Sequence, residues 1–193
     1  MKGVYVFLAD GFEDVEALAT LDVLRRGAVD AKLVSVTDEP FVVSSHNVAV
    51  GVDLTFDELL ASASQTGTDE TDVMVFPGGM PGTRNLAGHE ELMALMQKHY
   101  AEGGTVAAIC AAPGLVAGQL PGLEGKRFTC FDGFEELPAS KGAVYVDAPA
   151  VTDGRLITGR SAGHAIAFGL AILTKLKGEQ AAQDVKAALM RTC

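Results

Sequence analysis

Thr105-Val-Ala-Ala-Ile-Cys110-Ala-Ala-Pro-Gly114 is an apolar run that ends on a cysteine and turns at once into helix-forming residues. The stretch Thr105 to Ile109 fits a strand buried on both faces, as in a parallel sheet. Ala111 to Gln119 reads as a helix, and Pro113 is tolerated in its first turn, where the missing N–H has no intrahelical partner anyway. Small residues on both sides of Cys110 suit a tight strand-to-helix turn, the shape of a nucleophile elbow. A helix N-terminus behind the sulfur would offer free N–H groups and a positive dipole end, which favour thiolate over thiol. The competing reading of Cys110 is a small buried hydrophobe.

The alternation of strand and helix extends from this stretch to both ends of the chain. Val4 to Ala9 is strand-like, and Val15 to Arg26 repeats apolar residues at helical spacing until Gly27 stops it. Lys32 to Val36 is the next strand, and Phe41 to Val52 reads as two short β runs around Ser45-His46-Asn47. Thr55 to Ala63 reads as a helix capped by Thr55, with Glu58 three residues on. After a polar turn, Gly67 to Asp72, the strand Val73 to Phe76 ends in Pro77-Gly78-Gly79, and the helix Glu90 to Glu102 is closed by Gly103-Gly104. Beyond the elbow, Phe128 to Cys130 and Val144 to Val146 are brief strands around a Gly/Pro-bounded segment, Asp132 to Ala139. Val151 and Leu156 to Thr158 flank a hairpin turn at Asp153-Gly154, and two helices, Gly163 to Lys177 and Glu179 to Met190, finish the sequence. This order predicts an α/β fold, a mostly parallel sheet with helices on both faces and ligands beyond the carboxyl ends of the strands.

At 193 residues and 48% hydrophobic content, the chain can bury one substantial core and is short for two, so a single domain over residues 1–193 is expected. With 25 acidic against 15 basic side chains, the net charge of -10 repels phosphate backbones and anionic bilayers. Neither nucleic acid nor a membrane is expected as a partner. No apolar run approaches the roughly 20 residues of a membrane span, and strand-like residues begin at Gly3 and Val4, which argues for a cytoplasmic protein. Cys110, Cys130 and Cys193 form no disulfide framework or C-x-x-C pair, so free thiols are expected. His46, His89, His99 and His164 show no metal-binding spacing, and no cofactor or metal is expected.

Three acids, Glu13, Asp14 and Glu16, stand at the start of the first helix, past the carboxyl end of the first strand and hence on the same sheet edge as Cys110. They either complement the helix dipole or include one buried beside the sulfur, where desolvation would raise its pKa and let it exchange a proton. The loop Phe76-Pro-Gly-Gly-Met-Pro-Gly82 is either a plain turn or a close backbone approach that aims N–H groups at an oxyanion. In Gly159-Arg160-Ser161-Ala162-Gly163, an anion site competes with Ser161 as a simple helix cap, and His164 reads as a surface or packing residue.

Four motifs in order carry a resemblance: Gly11-Phe-Glu-Asp-Val-Glu16, Phe-Pro-Gly-Gly79, Ala-Ala-Ile-Cys110-Ala-Ala-Pro113 and Ile-Thr-Gly-Arg160. Together, from Val4 to about Lys186, they resemble the DJ-1 branch of the DJ-1/PfpI superfamily. The resemblance implies a flavodoxin-like, doubly wound fold. Cys110 then matches the family's reactive, oxidation-prone cysteine and Glu16 the acid hydrogen-bonded to it, and the oxyanion site falls on the N–H groups of Gly79 and Ala111. It also implies a homodimer with the first helix near the interface, and activities described as glyoxalase, protein deglycase, redox sensor or redox-regulated chaperone.

Departures from the family pattern narrow these expectations. The histidine that follows the cysteine in hydrolytic relatives is Ala111 here, which disfavours peptidase activity. Cys130 and His46 stand where relatives commonly carry a histidine and an arginine. Cys130 reads either as apolar filler between Phe128 and Phe131 or as a thiol that resolves an oxidised Cys110. The expected function is cofactor-independent chemistry on small reactive carbonyls or their adducts, with Cys110 as nucleophile and Glu16 as proton shuttle. The alternative is a redox sensor or chaperone that works through oxidation of Cys110 without turnover.

Overall fold

Residues 1–62 and 67–189 are described by the computed structural model, so the expected helix ends at Ala63 and Met190, and Cys193, lie outside the described residues. The first half runs β1 (Val4–Leu8), α1 (Asp14–Arg26), β2 (Ala31–Ser35), β3 (Phe41–Val43), β4 (Ala49–Gly51), β5 (Leu54–Thr55), α2 (Phe56–Ser62), β6 (Val73–Phe76), α3 (Gly82–Gly88) and α4 (Glu90–Ala101). The second runs β7 (Thr105–Ile109), α5 (Ala112–Leu115), β8 (Arg127–Phe128), α6 (Glu136–Ser140), β9 (Val144–Tyr145), β10 (Ala150–Asp153), β11 (Leu156–Gly159), α7 (Ala165–Lys177) and α8 (Glu179–Leu189).

The main sheet has strand order β10-β11-β7-β6-β1-β2-β5. Each neighbouring pair is parallel except β10 with β11, the hairpin at the edge. Alternate side chains divide between two layers, as strand geometry requires. Val6 and Leu8 of β1, Val75 of β6, Ala107 and Ile109 of β7 and Ile157 of β11 pack with Leu21 and Leu24 of α1 and Phe168 and Ile172 of α7. On the other face Phe7, Met74, Phe76, Val106 and Ala108 pack with Leu59 of α2, Leu92 and Met96 of α4 and Ala112 of α5. Phe7 and Phe76 stack with ring centroids 5.4 Å apart. Each fully buried phenylalanine contributes about 1.5–3 kcal/mol. The fold is therefore the expected doubly wound, flavodoxin-like α/β arrangement.

Local signals explain most elements. Thr55 and Glu58 form a reciprocal capping box, Thr55 N–H to Glu58 Oε2 at 2.8 Å and Glu58 N–H to Thr55 Oγ1 at 3.3 Å. The hairpin β3-β4 forms around Ser45-His46-Asn47 as the sequence predicts. Three expectations change. The helix expected over Ala111 to Gln119 is two pieces, α5 and a 3₁₀ turn at Ala117–Gln119 joined at Val116, and Gly114 in α5 lets the Phe134 backbone approach to where a Cβ would lie 2.3 Å from its carbonyl oxygen. The segment Asp132 to Ala139 carries the start of α6, and the helix expected from Gly163 begins with a 3₁₀ turn, Ala162–His164, before α7.

Candidate active site

Parallel strands β1, β6 and β7 end on one edge, so the segments that follow them meet there. Cys110 follows β7 with φ +67°, the left-handed region that costs a non-glycine residue about 1–2 kcal/mol. Its backbone is held on both sides: its N–H donates to Gly159 O at 3.0 Å, and its carbonyl accepts the Phe131 N–H at 2.8 Å. The expected elbow is therefore real. It turns the thiol toward the loop after β6, so that the N–H groups of Gly79 in that loop and of Ala111 after the elbow both face the sulfur.

Glu16 comes from the first turn of α1 and is 1% exposed. Glu13, the N-cap, accepts the Glu16 N–H at 2.7 Å, which winds this turn tightly and aims the Glu16 side chain inward. Glu16 Oε2 accepts the Gly78 N–H at 2.7 Å, while Oε1 is buried without a hydrogen-bond partner. Burial raises the Glu16 pKa to about 7, against the opposing pull of the Cys110 thiol and the Gly78 N–H. Of the three acids, Glu16 alone is the buried one, Glu13 is a cap, and Asp14 pairs with His46 on the hairpin.

Gly78 explains why this loop is rich in glycine. A Cβ there would lie 2.6 Å from both Cys110 Cβ and Glu16 Oε2 and 3.1 Å from Cys110 Sγ, so the three residues enclose less space than one carbon needs. Gly79, at φ +90°, brings its backbone so close to the first helix that a Cβ would lie 2.4 Å from Glu13 N. The loop is thus docked on the helix start rather than being a plain turn, and the Glu13 N–H donates to Gly78 O at 3.0 Å.

The thiolate expected from the helix end is opposed by its surroundings. Burial first, and then the neighbouring Glu16 charge, push the Cys110 thiol up to about 12, and a four-residue helix with two facing amides does not outweigh them. Cys110 and Glu16 titrate as a pair that shares a proton, held as thiol with carboxylate or as thiolate with carboxylic acid. The second arrangement removes the opposing charge and leaves the Ala111 and Gly79 amides to stabilise the sulfur anion.

Sequence reasoning named Cys110, Glu16, Gly79 and Ala111, and the structure brings all four together; it missed Gly78 as the anchor of the acid, for which the doubled glycine was the available signal. Ser161 does not cap a helix backbone: its hydroxyl meets His164 Nδ1 at 2.9 Å. Arg160 is engaged by Asp132 and Asp147. The carboxylates of Glu13 and Asp14 lie with His46 in one cluster, a grouping that their spacing in sequence did not show, and these atoms already bind one another or the helix backbone.

The model of the DJ-1/PfpI family matches residues 2–175. The chain is 35% identical over 190 residues to protein DJ-1 homolog A of Arabidopsis thaliana, covering 98% of this chain but only 46% of that relative, so it spans about half its length. It is 31% identical over 167 residues to the deglycase PYRAB04690 of Pyrococcus abyssi, covering 86% of this chain and 93% of the relative. Among solved structures, a cysteine-to-alanine mutant of the DJ-1 superfamily protein STM1931 from Salmonella typhimurium superposes with a TM-score of 0.84 at 35% identity, over 98% of both chains. Oxidised Toxoplasma gondii DJ-1 gives 0.85 at 26% identity, again over 98% of both.

Proposed function

The chain belongs to the DJ-1/PfpI family, and from that premise we propose that it is a cysteine-dependent, cofactor-independent enzyme acting on small reactive carbonyls or their adducts. One observation carries the reading: a buried carboxyl with its pKa near 7 touches a strained cysteine whose sulfur faces two backbone N–H groups. The relative named a deglycase adds support at the level of the family.

With a 2-oxoaldehyde, the Cys110 sulfur forms a bond to the aldehyde carbon, and the carbonyl electrons move to an oxyanion held by the Gly79 and Ala111 N–H groups. The Glu16 proton passes to that oxygen and leaves a carboxylate. This carboxylate takes the proton from the former aldehyde carbon and delivers it to the neighbouring carbon, while the hydroxyl proton passes to the neighbouring oxygen. The product is a thioester on Cys110, and water hydrolyses it to a hydroxy acid and the free thiol. Turnover of methylglyoxal by freshly reduced protein tests the proposal, and no hydroxy acid above the uncatalysed rate rejects it.

The second reading, redox sensing without turnover, is supported by the same acid, because a protonated Glu16 can donate to an oxidised sulfur as well as to a thiolate. Suppression of client aggregation that rises after mild peroxide treatment, without carbonyl turnover, would favour it. Under either reading the protein works in the cytoplasm as a homodimer. Exposed Val15 on α1 and Phe41 and Val48 around the hairpin offer apolar surface for the second copy, which sedimentation would test.

A further inference from the structure

We propose that Cys130 is the resolving thiol of Cys110, so that a hydroperoxide drives a reversible Cys110–Cys130 disulfide. The two residues are 20 apart in sequence but one peptide apart in space, since the Phe131 N–H donates to the Cys110 carbonyl at 2.8 Å. With ordinary peptide dimensions, a bond of that length places the two Cα atoms within about 6 Å, inside the window for a disulfide. Both thiols are free.

Beside the filler reading of Cys130, two features of its surroundings favour a reactive role. Phe128 is buried, but Phe131 is 47% exposed, so no pair of aromatic rings encloses the sulfur. Cys130, like the neighbouring Phe128, is fully buried outside the two layers that sandwich the sheet. Its sulfur instead takes the Phe134 N–H, within a turn whose residues 131–133 are exposed. Turning the sulfur toward Cys110 gives up that one weak hydrogen bond and moves a thiol that burial, first of all, pushes up to about 12. The difference in exposure sets the order of events. Cys110 is partly exposed and meets peroxide first, whereas Cys130 is buried.

The steps balance. The Cys110 sulfur gives an electron pair to one peroxide oxygen, the O–O bond breaks, and water or an alcohol leaves with the Cys110 proton, giving a sulfenic acid. The Cys130 sulfur then attacks the Cys110 sulfur, the S–O bond breaks, and hydroxide leaves as water with the Cys130 proton. Two thiols are oxidised and one peroxide is reduced. This inference rests on Cys110 being the reactive centre, though not on carbonyl turnover.

The test treats reduced full-length protein with one equivalent of hydrogen peroxide, blocks free thiols under denaturing conditions, and maps the peptides. The expected result is a Cys110–Cys130 peptide pair as the main oxidised species, lost on reduction with dithiothreitol. In Cys130→Ser, sulfinate on Cys110 should rise several-fold. Sulfinate on Cys110 with Cys130 still alkylated in the wild type overturns the resolving role while leaving Cys110 reactive, and so does a cross-link to Cys193. Cys110 untouched by peroxide overturns both this inference and the reading of the site. The wild-type map decides the matter even if the serine variant does not fold.

Discussion

Glu16 Oε2 and the Gly78 N–H, 62 residues apart in the chain, meet at 2.7 Å and fix the acid against Cys110. The helix start contributes the charge and the strand end contributes the donor, so neither segment makes the site alone. This bond also leaves one carboxyl oxygen for proton exchange, because only Oε2 is committed to the backbone.

Cys110→Ser should fold, because serine fits the space and meets the same backbone demand, but a hydroxyl is hardly ionised beside a buried acid. Carbonyl turnover should fall by at least about 100-fold with the thermal midpoint little changed. A wild-type rate in this variant, measured as hydroxy acid formed, would remove Cys110 from the mechanism.

Glu16→Gln separates charge from shape. The amide oxygen can still accept the Gly78 N–H, but the negative charge that opposes ionisation of Cys110 is gone. The pH midpoint of Cys110 alkylation should fall by at least about one unit, while turnover drops because no proton can be exchanged. Slower alkylation together with unchanged turnover would reduce Glu16 to a packing residue.

Stability should depend on pH through the same acid. The folded pKa of Glu16, about 7, lies above its ordinary 4.5, so the folded state holds this proton more tightly than the unfolded chain does. The stabilisation is fully present below pH 4.5 and is lost as pH rises through 7, amounting to about 3 kcal/mol in all. Denaturant midpoints measured across this window should fall in the wild type relative to Glu16→Gln, and parallel curves would refute the shift.

Gly78→Ala should damage the site more than the fold. Its methyl group would sit 2.6 Å from Cys110 Cβ and Glu16 Oε2, and relief requires one of them to move. Loss of about 1–3 kcal/mol of stability and at least about tenfold lower turnover is expected. An alanine variant with wild-type kinetics would show that the acid and the thiol need not be held this closely.

Much of the architecture was legible because it rests on local signals. The apolar runs of β1, β6 and β7 and the glycine stops mark their elements without tertiary help. Helix α3 went unread because Gly82–Gly88 begins and ends on glycine and offers only Thr83 and Leu86 as buried side chains after its first residue, too few for a period. The site was legible as a list of residues but not as an electrostatic balance. Burial decides whether the dipole or desolvation prevails at Cys110, and burial is a property of the packed layers rather than of the motif. Cys130 was expected near the same edge as Cys110, but how close it comes is shown only by the Phe131 hydrogen bond.

The left-handed backbone at Cys110 also means that this position carries a local strain that glycine would not. Glycine adopts φ +67° without penalty, so Cys110→Gly would relieve about 1–2 kcal/mol of local strain even as it abolished the thiol. A screen for thermostable variants run without an activity readout should therefore enrich inactive glycine substitutions at this turn, which would mark the point where folding and chemistry pull the sequence in opposite directions.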